Sequence, residues 1–115
     1  MAQENELEKL LEDYQNLQQQ MQSFASLLNQ LQGQKEEINR AKEEVTSATG
    51  KVYFSVGGVM VETTKDKALD DLNNRSELVE LRISTTTKQY NELKTKEKQL
   101  SDKITQLYKS QGAAQ

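Results

Sequence analysis

Cysteine, histidine, proline and tryptophan are all missing from this chain of 115 residues, and aromatic residues make up only 5% of it. Without cysteine there is no disulfide framework, no thiolate zinc site and no thiol nucleophile. Without histidine the chain lacks the side chain that most often moves protons near neutral pH, which is also the commonest metal ligand. Its serine and threonine hydroxyls therefore have no imidazole to activate them. Hydrophobic residues amount to 34%, against about 45–50% in an ordinary globular domain, so a thick, many-layered core is excluded. No run approaches the roughly 20 apolar residues of a membrane span, and Met1–Glu8 is too acidic and polar for a signal peptide. A net charge of −3 and a pI near 5.1 speak against general nucleic-acid binding. These absences lead us to expect one soluble, cytoplasmic, non-enzymatic domain over residues 1–115, with no cofactor, metal, nucleic acid or membrane to bind.

Leu, Gln, Glu and Lys are abundant, and without proline they favour long helices over disorder. From about Glu4 to Ser47, the residues Leu7, Leu10, Tyr14, Leu17, Met21, Phe24, Leu28, Leu31, Lys35, Ile38, Lys42 and Val45 recur at alternating steps of three and four. Written as heptads, this is a coiled-coil seam, apolar at every d position and interrupted at a by Lys35 and Lys42. From about Thr64 to Gln111 a second seam runs through Leu69, Leu72, Ser76, Val79, Ile83, Thr86, Tyr90, Leu93, Glu97, Leu100, Ile104 and Leu107. Thr63, with Asp66 three residues on, predicts a capping box at the start of the second helix. Gly50 predicts the stop of the first helix, and Ser110–Gln115 is expected to fray.

Between the seams the period changes from helical to alternating. Lys51–Val56 and Val59–Thr63 are rich in β-branched and aromatic residues, and Gly57-Gly58 joins them. Two such runs about a Gly-Gly pair predict a tight β-hairpin over 51–63. Val56 then faces Val59, Phe54 faces Val61, and Val52 faces Thr63. One face carries Val52, Phe54, Val56, Val59 and Val61; the other carries Tyr53, Ser55, Met60 and Glu62. The glycine pair lacks the surroundings of a phosphate-binding loop.

Charge predicts that the helices pair with each other. Residues 1–47 hold nine acids and four bases, whereas residues 64–111 hold eight acids and ten bases, so −5 meets +2. Antiparallel alignment sets Val45 near Leu69, Leu31 near Ile83, Met21 near Leu93 and Leu7 near Leu107. Glu6 and Asp13 then approach Lys96 and Lys103 at flanking g positions. The carboxylates Glu36, Glu37, Glu43 and Glu44, like Asp70 and Asp71, read as solvated helix surface rather than a cation site.

Two regions resist that bland reading. A lone hairpin is marginal in water, and its open edges and Val/Phe face invite other chains. Val52, Phe54, Val56, Val59, Met60 and Val61 are accordingly candidate oligomerisation residues. Where the two chain ends meet, the apolar stripe widens, because Leu11 and Tyr108 occupy e positions beside Leu7, Leu10, Ile104 and Leu107. These six are candidate contacts for other apolar chains. Leu27, at a g position, is a further leucine that two helices cannot cover.

The hairpin Val52–Thr63 after a heptad helix, followed by a helix opening Leu69-Asp70-Asp71-Leu72-Asn73-Asn74-Arg75-Ser76-Glu77-Leu78-Val79-Glu80-Leu81-Arg82, resembles prefoldin. The single hairpin and short length are similar to its β class, of the archaeal kind, rather than to the α class with two hairpins. The resemblance implies a fold dominated by helix: a long antiparallel two-helix coiled coil whose central hairpin oligomerises into a β-barrel. It implies an ATP-independent holdase, a hexamer with α-class subunits whose coiled-coil tips bind non-native polypeptide and pass it to a group II chaperonin. Assembly would fall on the hairpin residues and client contact on the six residues of the tip. The rival reading is a structural or tethering coiled coil with no client, in which the hairpin is only a connector.

Overall fold

The computed structural model describes residues 2–113 in the order α1 (Ala2–Ser47), β1 (Val52–Val56), β2 (Val59–Thr63) and α2 (Lys65–Ala113). Both helices follow their heptads. All twelve seam positions of each are buried or half-buried, and nearly everything between them faces water. The few other half-buried helical residues, such as Ala25, Ala41, Ala68 and Ser101, are mostly small side chains beside the seam. At about 1.5 Å per residue, 46 and 49 residues give helices roughly 70 Å long. Helices of that length hold together by burying a stripe against a partner rather than by propensity alone.

The chain divides into two compact units, Asn29–Thr85 and Met1–Leu28 with Thr86–Gln115, and both helices contribute to each. In the first unit, the Lys35 ammonium lies 3.6 Å from a Glu80 carboxylate oxygen, and Lys65 Nζ donates to the Thr46 carbonyl at 3.1 Å. Rising numbers on α1 meet falling numbers on α2, so the helices run antiparallel. Leu31, Val79 and Ser76 are its buried residues, at 3%, 6% and 8% exposure. Lys35 occupies a seam position by lying half-buried there while its head reaches Glu80.

In the second unit Met21 and Thr86 are buried. Glu6 and Leu10 line a shallow depression with Lys103, Gln106 and Leu107, which sets the first turns of α1 against the last turns of α2. Glu6 and Lys103 thus share a neighbourhood, yet neither they nor Asp13 and Lys96 form an ion pair among the described residues. Exposed pairs on long side chains gain too little to fix one geometry.

The start of α2 differs from expectation. The cap of α2 is Thr64 rather than Thr63: its Oγ1 accepts from the Lys67 N–H at 3.2 Å, and its carbonyl takes the first helical bond from Ala68. Thr63 is held as the last residue of β2, paired with Val52, so the cap moves one residue on and no capping box forms. Asp66 still lies in the first turn, where the helix dipole favours an acid. At the other boundary α1 ends at Ser47, the expected bound, with Gly50 three residues beyond it. The Ala48 N–H bonds back to the Val45 carbonyl, while the Thr46 and Ser47 hydroxyls donate to the Lys42 and Glu43 carbonyls at 2.7 and 2.9 Å. Of the last carbonyls, Glu44 accepts from the Ser47 hydroxyl at 3.4 Å, Val45 from the Ala48 N–H and Thr46 from the Lys65 ammonium, without a left-handed glycine. The fraying expected over 110–115 is not seen as far as Ala113, where α2 ends; residues 114 and 115 lie outside the described residues.

The hairpin register is Val52↔Thr63, Tyr53↔Glu62, Phe54↔Val61, Ser55↔Met60 and Val56↔Val59. Gly57 and Gly58 have φ of 55° and 83°. Positive φ at both central residues is what a two-residue turn of this hand requires, and glycine adopts it at no steric cost.

Leu31→Ala should lower stability to urea by about 2–5 kcal/mol, whereas Leu27→Ala, on the exposed side of the same helix, should cost under about 1 kcal/mol. Equal losses would contradict the burial pattern. Changing Gly57 and Gly58 both to Val should strain the turn by about 1–2 kcal/mol per residue. The strand amide resonances of 52–63 should then lose their NMR dispersion while the helical circular dichroism stays.

Candidate functional site

Of the hairpin residues singled out from the sequence, only Val52 is half-buried; Phe54, Val56, Val59, Met60 and Val61 are all exposed. Exposure is greatest beside the turn, reaching 66% at Met60. Tyr53, on the opposite face from Phe54, is exposed too, so both faces of the ribbon present apolar side chains to water. β1 and β2 pair only with each other, which leaves an open hydrogen-bonding edge on each. Exposed edges and a two-sided apolar ribbon are what other chains add to.

A cavity of about 470 Å³ lies between β1 and the neighbouring turns of the helices, with Val45, Phe54, Val56, Ala68 and Leu72 among its walls. Asp71 and Arg75 edge it, joined by an ion pair of 3.0 Å from Arg75 Nε. A second, shallower groove runs past Phe54 and Val61 to Thr64 and Lys67. Phe54 and Lys67 line both, so one trough follows the hairpin along the start of α2. Its walls are mainly apolar, with the charged residues Glu62, Lys67, Asp71 and Arg75 also lining it. Among the described residues no group of three or more carboxylates is placed to hold a metal ion, and Glu36 lies 3.9 Å from Arg40.

The six residues near the chain ends separate into two kinds. Leu7, Leu10, Ile104 and Leu107 are half-buried in the seam, whereas Leu11 and Tyr108 are exposed, Tyr108 to 70%. Only the two e-position residues are free for immediate contact. The structure also exposes two leucines that the periodicity reading passed over, Leu78 and Leu81 on α2. Heptad arithmetic could have found them, since they fall at c and f, the outer positions of that helix. No helix among the described residues is long and apolar enough to cross a membrane.

Comparison with known proteins points the same way. The family described as prefoldin subunit (Prefoldin_2) matches residues 8–111. The prefoldin subunit beta of Pyrobaculum neutrophilum is 34% identical, over 95% of this chain and 89% of its own length. That of Pyrococcus furiosus is 31% identical, over 86% of each. The crystal structure of the prefoldin beta subunit from Thermococcus strain KS-1 superposes with a TM-score of 0.81 at 31% identity, covering 86% of this chain and 89% of that one. The beta2 subunit of the same strain shares the fold, with a TM-score of 0.70 at 21% identity over 76% of this chain and 95% of that one. With its helices, its hairpin and nearly all of its length accounted for, the chain belongs to the prefoldin family of non-enzymatic chaperone subunits, in the β class.

Proposed function

We propose that this chain is a β-class subunit of a hetero-hexameric, ATP-independent holdase that captures non-native polypeptide and delivers it to a group II chaperonin in the cytoplasm. It joins an α-class prefoldin subunit through Val52, Phe54, Val56, Val59, Met60 and Val61, whose apolar faces and open edges close into a shared β-barrel. The observation that carries this reading is where the exposed large apolar side chains lie. Most sit on the hairpin, and another pair, Leu11 and Tyr108, lies on the opening turns of α1 and the closing turns of α2. A folding joint and a capture surface need those two separate patches.

Client contact falls first on Leu11 and Tyr108. Leu7, Leu10, Ile104 and Leu107 join when the helix ends part, because they are half-buried in the seam. Each such side chain gains at most about 1.5–3 kcal/mol on full burial against a client. Several must act together, and several subunits in one hexamer turn weak contacts into capture. The half-burial of those four residues is also what a simple tethering coiled coil would show, which keeps that second reading in view. A tether would not suppress aggregation.

Removing residues 1–11 and 105–115 should leave assembly intact, since the hairpin and the seam from Tyr14 to Leu100 remain, and should weaken protection of an aggregating client. Leu11→Ser with Tyr108→Ser should lie between wild type and truncation. The measurement is light scattering by the client at equal hexamer concentration. Undiminished protection by the truncated hexamer would place client contact elsewhere, and no protection by the intact hexamer would favour the tether.

A further inference from the structure

Leu78 and Leu81 have no role in the seam, the hairpin or the helix ends. They are exposed to 51% and 63% at heptad positions c and f, on the side of α2 turned away from the partner helix. Scattered exposed leucines are ordinary. These two stand one turn apart, and within Asn29–Thr85 they are the only exposed large apolar side chains outside the hairpin among the described residues.

Their position continues a surface already described. Asp71, Arg75, Leu78 and Arg82 follow one another at steps of four, three and four, so they form a single ridge of α2. The first two edge the trough beside β1. The ridge therefore leads directly from the trough onto Leu78, with Leu81 in the adjoining row. The hairpin by itself is also too small a joint. A stable interface engages about 20–30 residues and about 800 Å² on each partner. The two strands offer five residues each, and alternate residues point to opposite faces.

We infer that the joint between prefoldin subunits extends beyond the hairpin and up α2, with Leu78 and Leu81 packed beneath the adjacent subunit of the same assembly. This rests on the assembly role proposed above. The adjacent subunit presents an apolar segment bordered by a carboxylate. Arg75 already holds Asp71 at 3.0 Å, whereas Arg82, next along the ridge, makes no ion pair among the described residues. It is the free cation beside Leu78.

The test mixes the full chain with an archaeal α-class prefoldin subunit and measures the concentration at which the complex half-dissociates, by mass photometry. Leu78→Asp with Leu81→Asp should raise that concentration by about tenfold or more, and Arg82→Glu should raise it by a smaller factor that salt abolishes. Leu27→Asp, an exposed leucine on the other unit, should leave it within about twofold. Helical circular dichroism checks each variant, and Leu78→Gln with Leu81→Gln keeps the experiment decisive should the aspartates unwind the helix. Unchanged assembly in the leucine variants overturns the inference, whether client protection falls (a client surface) or stays (a free surface). Phe54→Asp separates the two readings. If it dissociates the complex while the leucine variants do not, only this inference fails; if neither does, the assembly role itself fails.

Discussion

A two-stranded β-ribbon set between two long helices cannot cover itself, and that constraint shapes the rest of the chain. Its five-residue strands satisfy half of their backbone groups through each other and leave the other half at open edges. Its side chains gain nothing by turning over, because Phe54 and Val61 occupy one face and Tyr53 and Met60 the other. The helices give it a fixed base instead of a cover. Lys65 bonds to the last turn of α1, Thr64 caps α2, and the two-glycine turn sets the strand register. The result is a preformed ribbon with an adjoining trough, which lowers the ordering cost of adding a neighbour's strands.

The seam solves a different problem with the same economy of apolar residues. Among the described residues Met21, Leu31 and Val79 are the buried hydrophobic side chains, and polar Ser76 and Thr86 are buried with them. A pair of helices has no second layer, so most seam residues stay half in water. That thinness also leaves Leu7, Leu10, Ile104 and Leu107 only half-buried near the helix ends.

The long elements were legible in the sequence because each rests on a repeated signal. Twelve seam positions per helix outvote any one residue, and Lys35, Lys42, Ser76 and Glu97 do not disturb the pattern. The hairpin register followed from one dipeptide and strict alternation. Single-residue decisions were harder. Thr63 and Thr64 are chemically the same cap, and strand pairing to Val52, a tertiary fact, chose between them. The end of α1 at Ser47 falls in the run of poor helix formers Thr46–Gly50, and Gly50 lies beyond it without a left-handed conformation. Glu6 and Lys103 share a neighbourhood without an ion pair among the described residues, since solvent offers them as much as each other. At the candidate surfaces, exposure of Phe54, Val56, Val59, Met60, Val61, Leu11 and Tyr108 could be read from what two helices are able to cover. Leu78 and Leu81 escaped because they lie off the stripe that periodicity seeks.

The claim on which all of this depends is that the hairpin is preformed but uncovered until a neighbouring subunit closes its edges. Amide hydrogen exchange resolves it by residue. Exchange would be followed by NMR in the chain alone at a concentration where it is monomeric, and again in complex with an α-class subunit. Amides of 52–63 that face away from the partner strand should exchange rapidly in the monomer and become strongly protected in the complex, while those of the seam around Leu31 and Val79 change little. Equal protection of the hairpin amides in both states would contradict the account.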